Sequence, residues 1–297
     1  MNDYLIATAS TCDIDAGWLN EHNVPFISYS FIIDDVPYED DCKEETKQFV
    51  YKKMREGKSV STSAIPVFAY EEFFRSLLET GKDIIFTDMS RAISSSIENC
   101  ERAIMEVSKD FPNQKVYFMD SFNITGGLAL FVKQLVRLHE EGKTFDEVVE
   151  WGEAHKKEYI YRFMVEDLQW LRRGGRLSNA SAFVGTLLAI KPMLFVGNDG
   201  KLVAFKKEHG RKKCLRSLIE SMKDCITEET AQEEFTIISA DDDEDCLKEI
   251  ENIKETYPEL KDTLLQRISH TDIFRNSIRH FFKVRIPVYT SVIQYFI

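Results

Sequence analysis

Several signatures that would narrow the function are missing from this chain of 297 residues. No apolar run reaches the roughly 18 residues that a membrane-spanning helix requires. The best candidate, residues 183–197, is short and is interrupted by Lys191 and Pro192. The N-terminal stretch carries Asp3 and has no basic region ahead of a long apolar segment, which is unlike a signal peptide. We therefore expect neither a membrane span nor a secretion signal.

Motifs that would indicate a metal site, a nucleotide-binding site or a disulfide framework are also missing. The six cysteines are scattered without a C-x-x-C pair, which excludes zinc-site spacing and favours reduced thiols in the cytoplasm. No G-x-x-x-x-G-K-[ST] phosphate loop, H-E-x-x-H motif or paired carboxylate motif occurs, and no nucleophile–base pair is readable. We expect no cofactor and no metal.

Positive charge is scarce. The chain has 38 Lys and Arg against 50 Asp and Glu, a formal net charge of −12, and its pI is about 5.1. Nucleic-acid binding without sequence preference needs clustered cations, so no nucleic-acid partner is expected. Hydrophobic residues make up 43% of the chain, enough for packed cores, and the length predicts two domains.

Short apolar runs alternate with amphipathic stretches in the first half. The predicted strands are 4–10, 24–33, 83–90 and 115–121, and the predicted helices are 44–57, 69–81 and 95–110. This alternation predicts a parallel sheet whose ligands lie beyond the carboxyl ends of the strands. Hydroxyl residues stand at several of those ends, namely Ser10, Thr11, Ser90 and Ser121. They are the first indication of a binding site.

The pattern changes after the predicted helices 125–142 and 144–160. A hairpin over 191–207 turns at Asn198-Asp199-Gly200, and a basic helix (211–223), a strand (234–240) and a helix (244–256) follow. We expect an α/β fold of two domains, with a mostly parallel sheet in 1–160 and an antiparallel or mixed sheet in 161–297. The ligand is expected between the domains.

Two polar segments of the first domain are candidates for binding an anion. Thr62 and Ser63 precede Pro66 and a helix, and three serines, Ser94 to Ser96, stand at the start of another helix. Unpaired N–H groups and the helix dipole favour anions there. Helix capping is the alternative for both segments, although one serine would suffice as a cap.

The segment "RRGGRLS" (172–178) gathers Arg172, Arg173 and Arg176 around two glycines. A helix C-cap would need only one glycine, so a site where guanidinium groups bind a carboxylate or phosphate is favoured. Further cations between 201 and 216 form either a solvated helix face or a docking surface for an acidic or phosphorylated partner.

The order of these segments resembles the DegV family of bacterial lipid-binding proteins. The resemblance extends from the N-terminus to about residue 271. Its strongest part is 168–202, which matches L-x-R-G-G-R-[IL]-S, G-x-x-L-x-[IL]-K-P and D-G-K-L in turn. Further matches are "STS" at 61–63, "SRAISSSIENCERA" at 90–103, "DSFNITGGLALFV" at 120–132 and "SHT" at 269–271.

The resemblance implies a carrier that is not an enzyme. It would hold one long-chain fatty acid in a buried tunnel and present the carboxylate to an ATP-binding fatty acid kinase. It would then carry the acyl phosphate to phospholipid synthesis, where an acyltransferase would be a further partner. The implied ligand-binding residues are Thr62, Ser63, Ser94, Ser95, Arg173, Arg176 and His270. Arg173 is the first candidate for the phosphate, whereas Arg176 has a structural alternative in an ion pair with Glu166 or Asp167. An apolar tunnel with a few convergent donors suits such a ligand, and 181–190, Phe122, Leu128 and Phe131 could line it or form ordinary core.

The chain departs from the family pattern at several places. Ala9 replaces an Asp after the first strand, Ser95 replaces a Gly, and His209 stands where many members have an Arg. After Thr271 the expected G-P-G and small apolar strand are missing, which indicates a shifted reading frame or a divergent tail and puts the role of His270 in doubt. The alternative function is a phosphotransferase or hydrolase that acts on a small anion through the same Ser/Arg cluster.

Overall fold

The computed structural model describes residues 4–165, 175–176, 190–221, 235–239, 255, 265–268 and 286–291. The chain divides into two compact units, Met1–Lys157 and Glu158–Ile297. Each unit has its own sheet system, and the two are described in turn.

A parallel sheet forms the centre of the first unit. Its strands are β1 (Tyr4–Ala9), β2 (Phe26–Ile27), β6 (Asp83–Asp88) and β7 (Val116–Asp120), in the order β2-β1-β6-β7. All three pairings are parallel, so the carboxyl ends of the strands meet at one edge. Ile84, Ile85 and Phe86 are completely buried, because helices cover both faces of such a sheet.

Six α-helices accompany these strands in the described part of the first unit. They are α1 (Ala16–Glu21), α2 (Glu44–Arg55), α3 (Val67–Leu78), α4 (Ser96–Asp110), α5 (Thr125–Glu140) and α6 (Phe145–His155). The stripe on α4 shows why the periodicity predicted a helix, since Ile97, Cys100, Ala103 and Val107 are its buried apolar residues. Helix α6 begins with a reciprocal capping box between Thr144 and Glu147.

A second, antiparallel sheet of the first unit was not predicted. It consists of β3 (Ser30–Ile33), β4 (Val36–Glu39) and β5 (Val60–Ser63) in the order β4-β3-β5. The single strand predicted over 24–33 is therefore wrong. Its first part pairs with β1, and its second part leaves that sheet to pair with β4 and β5.

The second unit contains a mixed sheet in the order β10-β9-β8-β13-β11-β12. The strands are β8 (Tyr159–Met164), β9 (Ile190–Val196), β10 (Leu202–His209), β11 (Phe235–Ser239), β12 (Leu265–Ile268) and β13 (Ile286–Ser291). The predicted hairpin is confirmed, since β9 and β10 pair antiparallel and Gly200 takes a positive φ of 77° in the turn. Helix α7 (Arg211–Ser221) follows. The expected fold class, with a parallel sheet first and a mixed sheet second, is confirmed.

Two predictions made from the sequence need correction. The helix predicted over 144–160 ends at His155, and Tyr159 already begins β8. The expectation of no strand after residue 271 was wrong, because β13 lies between β8 and β11 and pairs parallel with both. Pro287 lacks an N–H and argues against a central strand when only the sequence is read. The helix predicted over 244–256 lies, apart from Glu255, outside the described residues.

No helix within the described ranges combines the length and the apolar character that a bilayer crossing demands.

Candidate functional site

The hydroxyl residues at the sheet edge are buried and mostly shape the loops. Ser10 Oγ accepts a hydrogen bond from the Tyr29 N–H at 3.1 Å, and Ser90 Oγ accepts one from the Ala92 N–H at 3.3 Å. Ser121 Oγ accepts from the Asn123 N–H at 3.1 Å. Ser90 and Ser121 therefore stabilise tight turns, and Ser10 joins two separate loops, roles that the sequence could not separate from ligand binding.

Asp88, the last residue of β6, is the centre of a buried polar group that we call the Asp88 cluster, with Thr11, Tyr29 and Tyr70. Its Oδ1 accepts from the Thr11 hydroxyl at 2.5 Å and from the Met89 N–H at 2.6 Å. Its Oδ2 accepts from the Tyr29 hydroxyl at 3.0 Å and, more weakly, from the Tyr70 hydroxyl at 3.4 Å. Burial raises the pKa of Asp88 to about 6, against the effect of these donors.

The three serines at the start of α4 have different roles. Ser96 Oγ accepts from the Ile65 N–H at 3.0 Å, and Ser94 Oγ accepts from the Ser96 N–H at 3.2 Å. Both hydroxyls also contact the Tyr29 hydroxyl. Ser95 is exposed and makes no capping hydrogen bond through its side chain. Ser94 is thus a buried hydroxyl at a helix N-terminus, one hydrogen bond away from the Asp88 cluster.

Thr62 and Ser63 lie at the end of β5. Thr62 is half-buried opposite the buried Phe31, whereas Ser63 is exposed. Two residues further on, Ile65 is fixed to α4, because its N–H bonds Ser96 and its carbonyl accepts from Asn99 Nδ2 at 2.8 Å. This double contact holds the end of β5 against the start of α4.

The predicted cationic residues are only partly described. Arg176 is half-buried beside an exposed Gly175 with φ 74°, while Arg173 and His270 lie outside the described residues. Arg91, which follows Ser90, forms ion pairs with Glu101 at 2.7 Å and Asp120 at 3.2 Å. Its guanidinium is therefore committed to two carboxylates.

The basic segment on β10 and α7 contains its own counter-ion. Glu208 accepts from Lys213 at 2.9 Å, Ser217 at 2.7 Å and Lys206 at 3.0 Å. These contacts, with Lys213 the strongest, lower the pKa of Glu208 to about 2. Part of the positive charge that the sequence shows here is neutralised locally.

A buried charge cluster lies beside the end of β1. Lys47 Nζ stands 3.6 Å from Asp13 Oδ1, and Asp40 faces the same lysine. Burial alone would lower the pKa of Lys47, but the two carboxylates outweigh it, so that its pKa is raised and it stays charged. Burial raises the pKa of Asp40 to about 6, and Asp40 Oδ2 has no hydrogen-bond partner among the described residues.

Helix α5 starts in a strained and tightly packed segment. Phe122 and Thr125 take positive φ values of 52° and 47°. A Cβ at Gly127 would lie 1.9 Å from Asn123 Oδ1, so only glycine fits against that side chain. Leu128 and Phe131 are completely buried on α5, and Phe122 is half-buried. The other predicted tunnel residues, 181–189, lie outside the described part.

We expect Gly127→Ala to lower the free energy of unfolding by about 1–3 kcal/mol, the usual cost of overpacking. Helix propensity alone predicts the opposite sign, a gain of about 1 kcal/mol. Urea denaturation measures the difference. The double variant Gly127→Ala/Asn123→Ala removes the clashing amide and is expected to recover part of the loss. Equal losses in the single and double variants would show that the contact with Asn123 is not the cause.

Sequence reasoning missed Asp88, Tyr29, Tyr70 and Lys47. Asp88 stands in "FTDMS", two residues before Ser90, and an acid at the carboxyl end of an apolar strand was the available signal. Tyr29 lies within 24–33, which the sequence analysis interpreted as one strand.

The chain matches a known protein family over most of its length. A family model described as "Uncharacterised protein, DegV family" matches residues 4–273. A DegV domain-containing protein of Clostridium perfringens is 32% identical over 279 residues, which cover 92% of this chain and 95% of the relative. The chain belongs to the DegV family. The matched range stops before β13, so this strand lies outside the part that the DegV model describes.

Solved DegV-like structures share the fold. A stearic acid-binding protein from Eubacterium ventriosum matches with a TM-score of 0.77 and 23% identity, covering 92% of each chain. DegV from Bacillus subtilis, described as a fatty acid binding protein, matches with a TM-score of 0.73 and 24% identity, covering 100% of this chain and 93% of the other.

Proposed function

We propose that this DegV-family protein binds a long-chain fatty acid and holds its carboxylate at the hydroxyls of Thr62 and Ser94, with Ser63 and Ser95 beside them. The observation that carries the proposal is the buried Ser94 hydroxyl at the N-terminus of α4, next to the end of β5. A helix N-terminus favours an anion, and hydroxyl donors bind a carboxylate without adding a fixed positive charge. The named ligands of the structural relatives give the ligand class.

The acyl chain requires an apolar environment. Helix α5 supports this requirement, because eleven of its residues are buried, among them Leu128, Leu130 and Phe131. We propose that this helix contributes to the wall of the acyl tunnel.

We further propose that the protein presents the bound acid to a fatty acid kinase and carries the acyl phosphate towards phospholipid synthesis in the cytoplasm. Arg173, Arg176 and His270 would then contact the more highly charged phosphate, since guanidinium groups bind phosphate through two hydrogen bonds. The described cysteines, Cys12, Cys42, Cys100 and Cys214, are free thiols, which agrees with a reducing compartment.

Native mass spectrometry of gently purified protein tests the binding function. We expect an adduct with the mass of a fatty acid. A protein that is empty and stays empty after incubation with several fatty acids contradicts the proposal. Incubation with ATP and fatty acid separates a carrier from an enzyme, because a carrier forms acyl phosphate only after a kinase subunit is added.

Replacing the head-group hydroxyls is expected to weaken binding. Ser94→Ala and, separately, Thr62→Ala should each raise the Kd for oleate about 10-fold or more, since a hydrogen bond to a charged group contributes about 1.5–3 kcal/mol. Fluorescence titration measures the Kd, and circular dichroism checks that both variants remain folded.

Ser108→Ala is the matched control on the same helix. The Ser108 hydroxyl is exposed and bonds only its own helix at the Ile104 carbonyl. We expect an unchanged Kd for this variant. Wild-type affinity in both Ser94→Ala and Thr62→Ala would refute the assigned carboxylate site.

A further inference from the structure

The Asp88 carboxylate is completely buried and accepts four hydrogen bonds. A carboxylate can accept all four only in its ionised form, because a protonated oxygen becomes a donor. In the described part of the chain, no lysine or arginine forms an ion pair with it. Asp88 is therefore a buried negative charge that hydroxyl and amide groups alone stabilise.

Asp120, the register partner of Asp88 on β7, is ion-paired with Arg91. Three other titratable groups face Asp88, namely Tyr29, Tyr70 on α3 and Cys100 on α4. Burial raises the pKa of all three far above neutral, so each stays protonated near pH 7. Burial also raises the pKa of Asp88, to about 6. Within this group, Asp88 is the one residue whose charge changes between pH 5 and 8.

The Tyr29 hydroxyl connects Asp88 to the head-group site. It has a single proton, which is donated to Asp88 Oδ2 when that carboxylate is ionised. Its oxygen then serves only as an acceptor for the Ser94 and Ser96 hydroxyls, and it also contacts Tyr70. The Ser94 proton, which a bound carboxylate would need, is thereby drawn towards Tyr29.

Protonation of Asp88 reverses this arrangement. A neutral Asp88 no longer requires the Tyr29 proton, and the Tyr29 hydroxyl can turn and donate to Ser94 Oγ. The Ser94 proton then becomes available to a ligand oxygen. Neutralising Asp88 also removes the repulsion between two negative charges in a region of low dielectric constant.

We propose that Asp88 is a positioning residue of the head-group site and acts through Tyr29, so that binding of a fatty carboxylate at Ser94 is accompanied by uptake of one proton at Asp88. This inference rests on the proposed fatty-acid binding. The proton comes from solvent and adds to a carboxylate oxygen of Asp88. The Tyr29 and Ser94 O–H groups only reorient, and the charge of the arriving carboxylate is balanced by the proton.

Isothermal titration calorimetry with monomeric oleate at pH 7, in two buffers of different ionisation enthalpy, counts the protons taken up. We expect more than about 0.5 proton per ligand for the wild type, and a Kd that rises by up to about tenfold per pH unit above pH 6. For Asp88→Asn we expect no uptake and a flat pH profile between pH 6 and 8. A purely structural role of Asp88 would change the Kd but leave its pH dependence in place.

Asp40→Asn is the matched control. Asp40 is a buried carboxyl whose pKa burial also raises to about 6, but its side chain contacts the Cys42 N–H, Ser10 and the Lys47 group. This variant is expected to keep the ligand-linked uptake. If the uptake vanishes in Asp40→Asn and persists in Asp88→Asn, the inference is overturned.

Two results for the wild type separate this inference from the proposed function. Binding of oleate without proton uptake in the wild type overturns the inference and leaves fatty-acid binding intact, whereas no binding at any pH overturns the proposed function.

If Asp88→Asn does not fold, Tyr29→Phe removes the connecting hydroxyl and keeps Asp88. Loss of most of the uptake in Tyr29→Phe supports the inference, and unchanged uptake overturns it.

Discussion

Lys47→Met is expected to lower the free energy of unfolding at pH 7.5 by about 3–5 kcal/mol, the usual cost of leaving buried charges without their partner. Lys47 is the cation between Asp13 and Asp40, and its side chain is only 8% exposed. Methionine fills a similar volume, so the loss measures the charge and not a cavity. Urea denaturation followed by fluorescence of Trp18 and Trp151, in a Trp170→Phe background, reports the first unit.

The loss of unfolding free energy in Lys47→Met should be smaller at low pH. Burial raises the pKa of Asp40 to about 6, above its value of about 3.9 in an unfolded chain. The folded state therefore holds more protons between these values, and its stability falls as pH rises through that window. Removing Lys47 moves the folded-state pKa values of both carboxyls further upward. At pH 5 they are then mostly protonated, and we expect a smaller loss than at pH 7.5.

Lys43→Met is the control for this experiment. Lys43 also pairs with an aspartate, Asp41 at 2.8 Å, but its side chain is 61% exposed. Exposed pairs contribute about 0–1 kcal/mol, so little change is expected. Similar losses in Lys43→Met and Lys47→Met, or a Lys47→Met loss that is the same at both pH values, would contradict the assignment of a buried charge cluster.

Phe86→Ala is expected to lower the free energy of unfolding by a comparable amount, about 3–5 kcal/mol, as is typical of removing a buried aromatic ring. Phe86 is completely buried on β6 and packs edge-on against Phe74 at 5.3 Å and Tyr70 at 6.0 Å between ring centroids. Its loss leaves a cavity between α3 and the sheet, because the neighbouring rings cannot fully collapse into the space.

The same urea experiment measures the effect, with Phe68→Ala as the control on α3. Phe68 is 64% exposed, so its removal opens no cavity and should change the stability by less than about 0.5 kcal/mol. A loss below about 1 kcal/mol in Phe86→Ala would show that the core around β6 repacks more freely than its burial indicates.

Local patterns predicted β1, β6, β7 and the helices α2 to α6 of the first unit, but not α1, β4 or β5. The helix expected over 95–110 is α4, Ser96–Asp110, because its apolar residues repeat at the helical period. The run 24–33 was different, since it is apolar apart from Ser28 and Ser30, and nothing within it marks a change of partner. Its division into β2 and β3 depends on pairing with β1 and with β4 and β5, which are separate in the sequence.

At the candidate site, too, short segments of the sequence do not show which distant residues come together. The hydroxyls of Thr62 and Ser94 could be nominated from short segments and from the family resemblance. Asp88 could not, because its partners lie 77, 59 and 18 residues away at Thr11, Tyr29 and Tyr70. An aspartate after an apolar run is usually a turn residue, and only the fold shows that this one is buried among hydroxyls.

The position of β13 has a consequence for synthesis of the chain. This strand occupies residues 286–291 and separates β8 from β11 in the sheet. During translation, β8 therefore emerges from the ribosome long before β13, one of its two neighbours in the sheet, is synthesised. The first unit, complete by residue 157, can fold while translation continues, but in the second unit the edge of β8 stays open until β13 emerges. Nascent chains stalled before and after residue 291 should differ in protease resistance in the second unit alone.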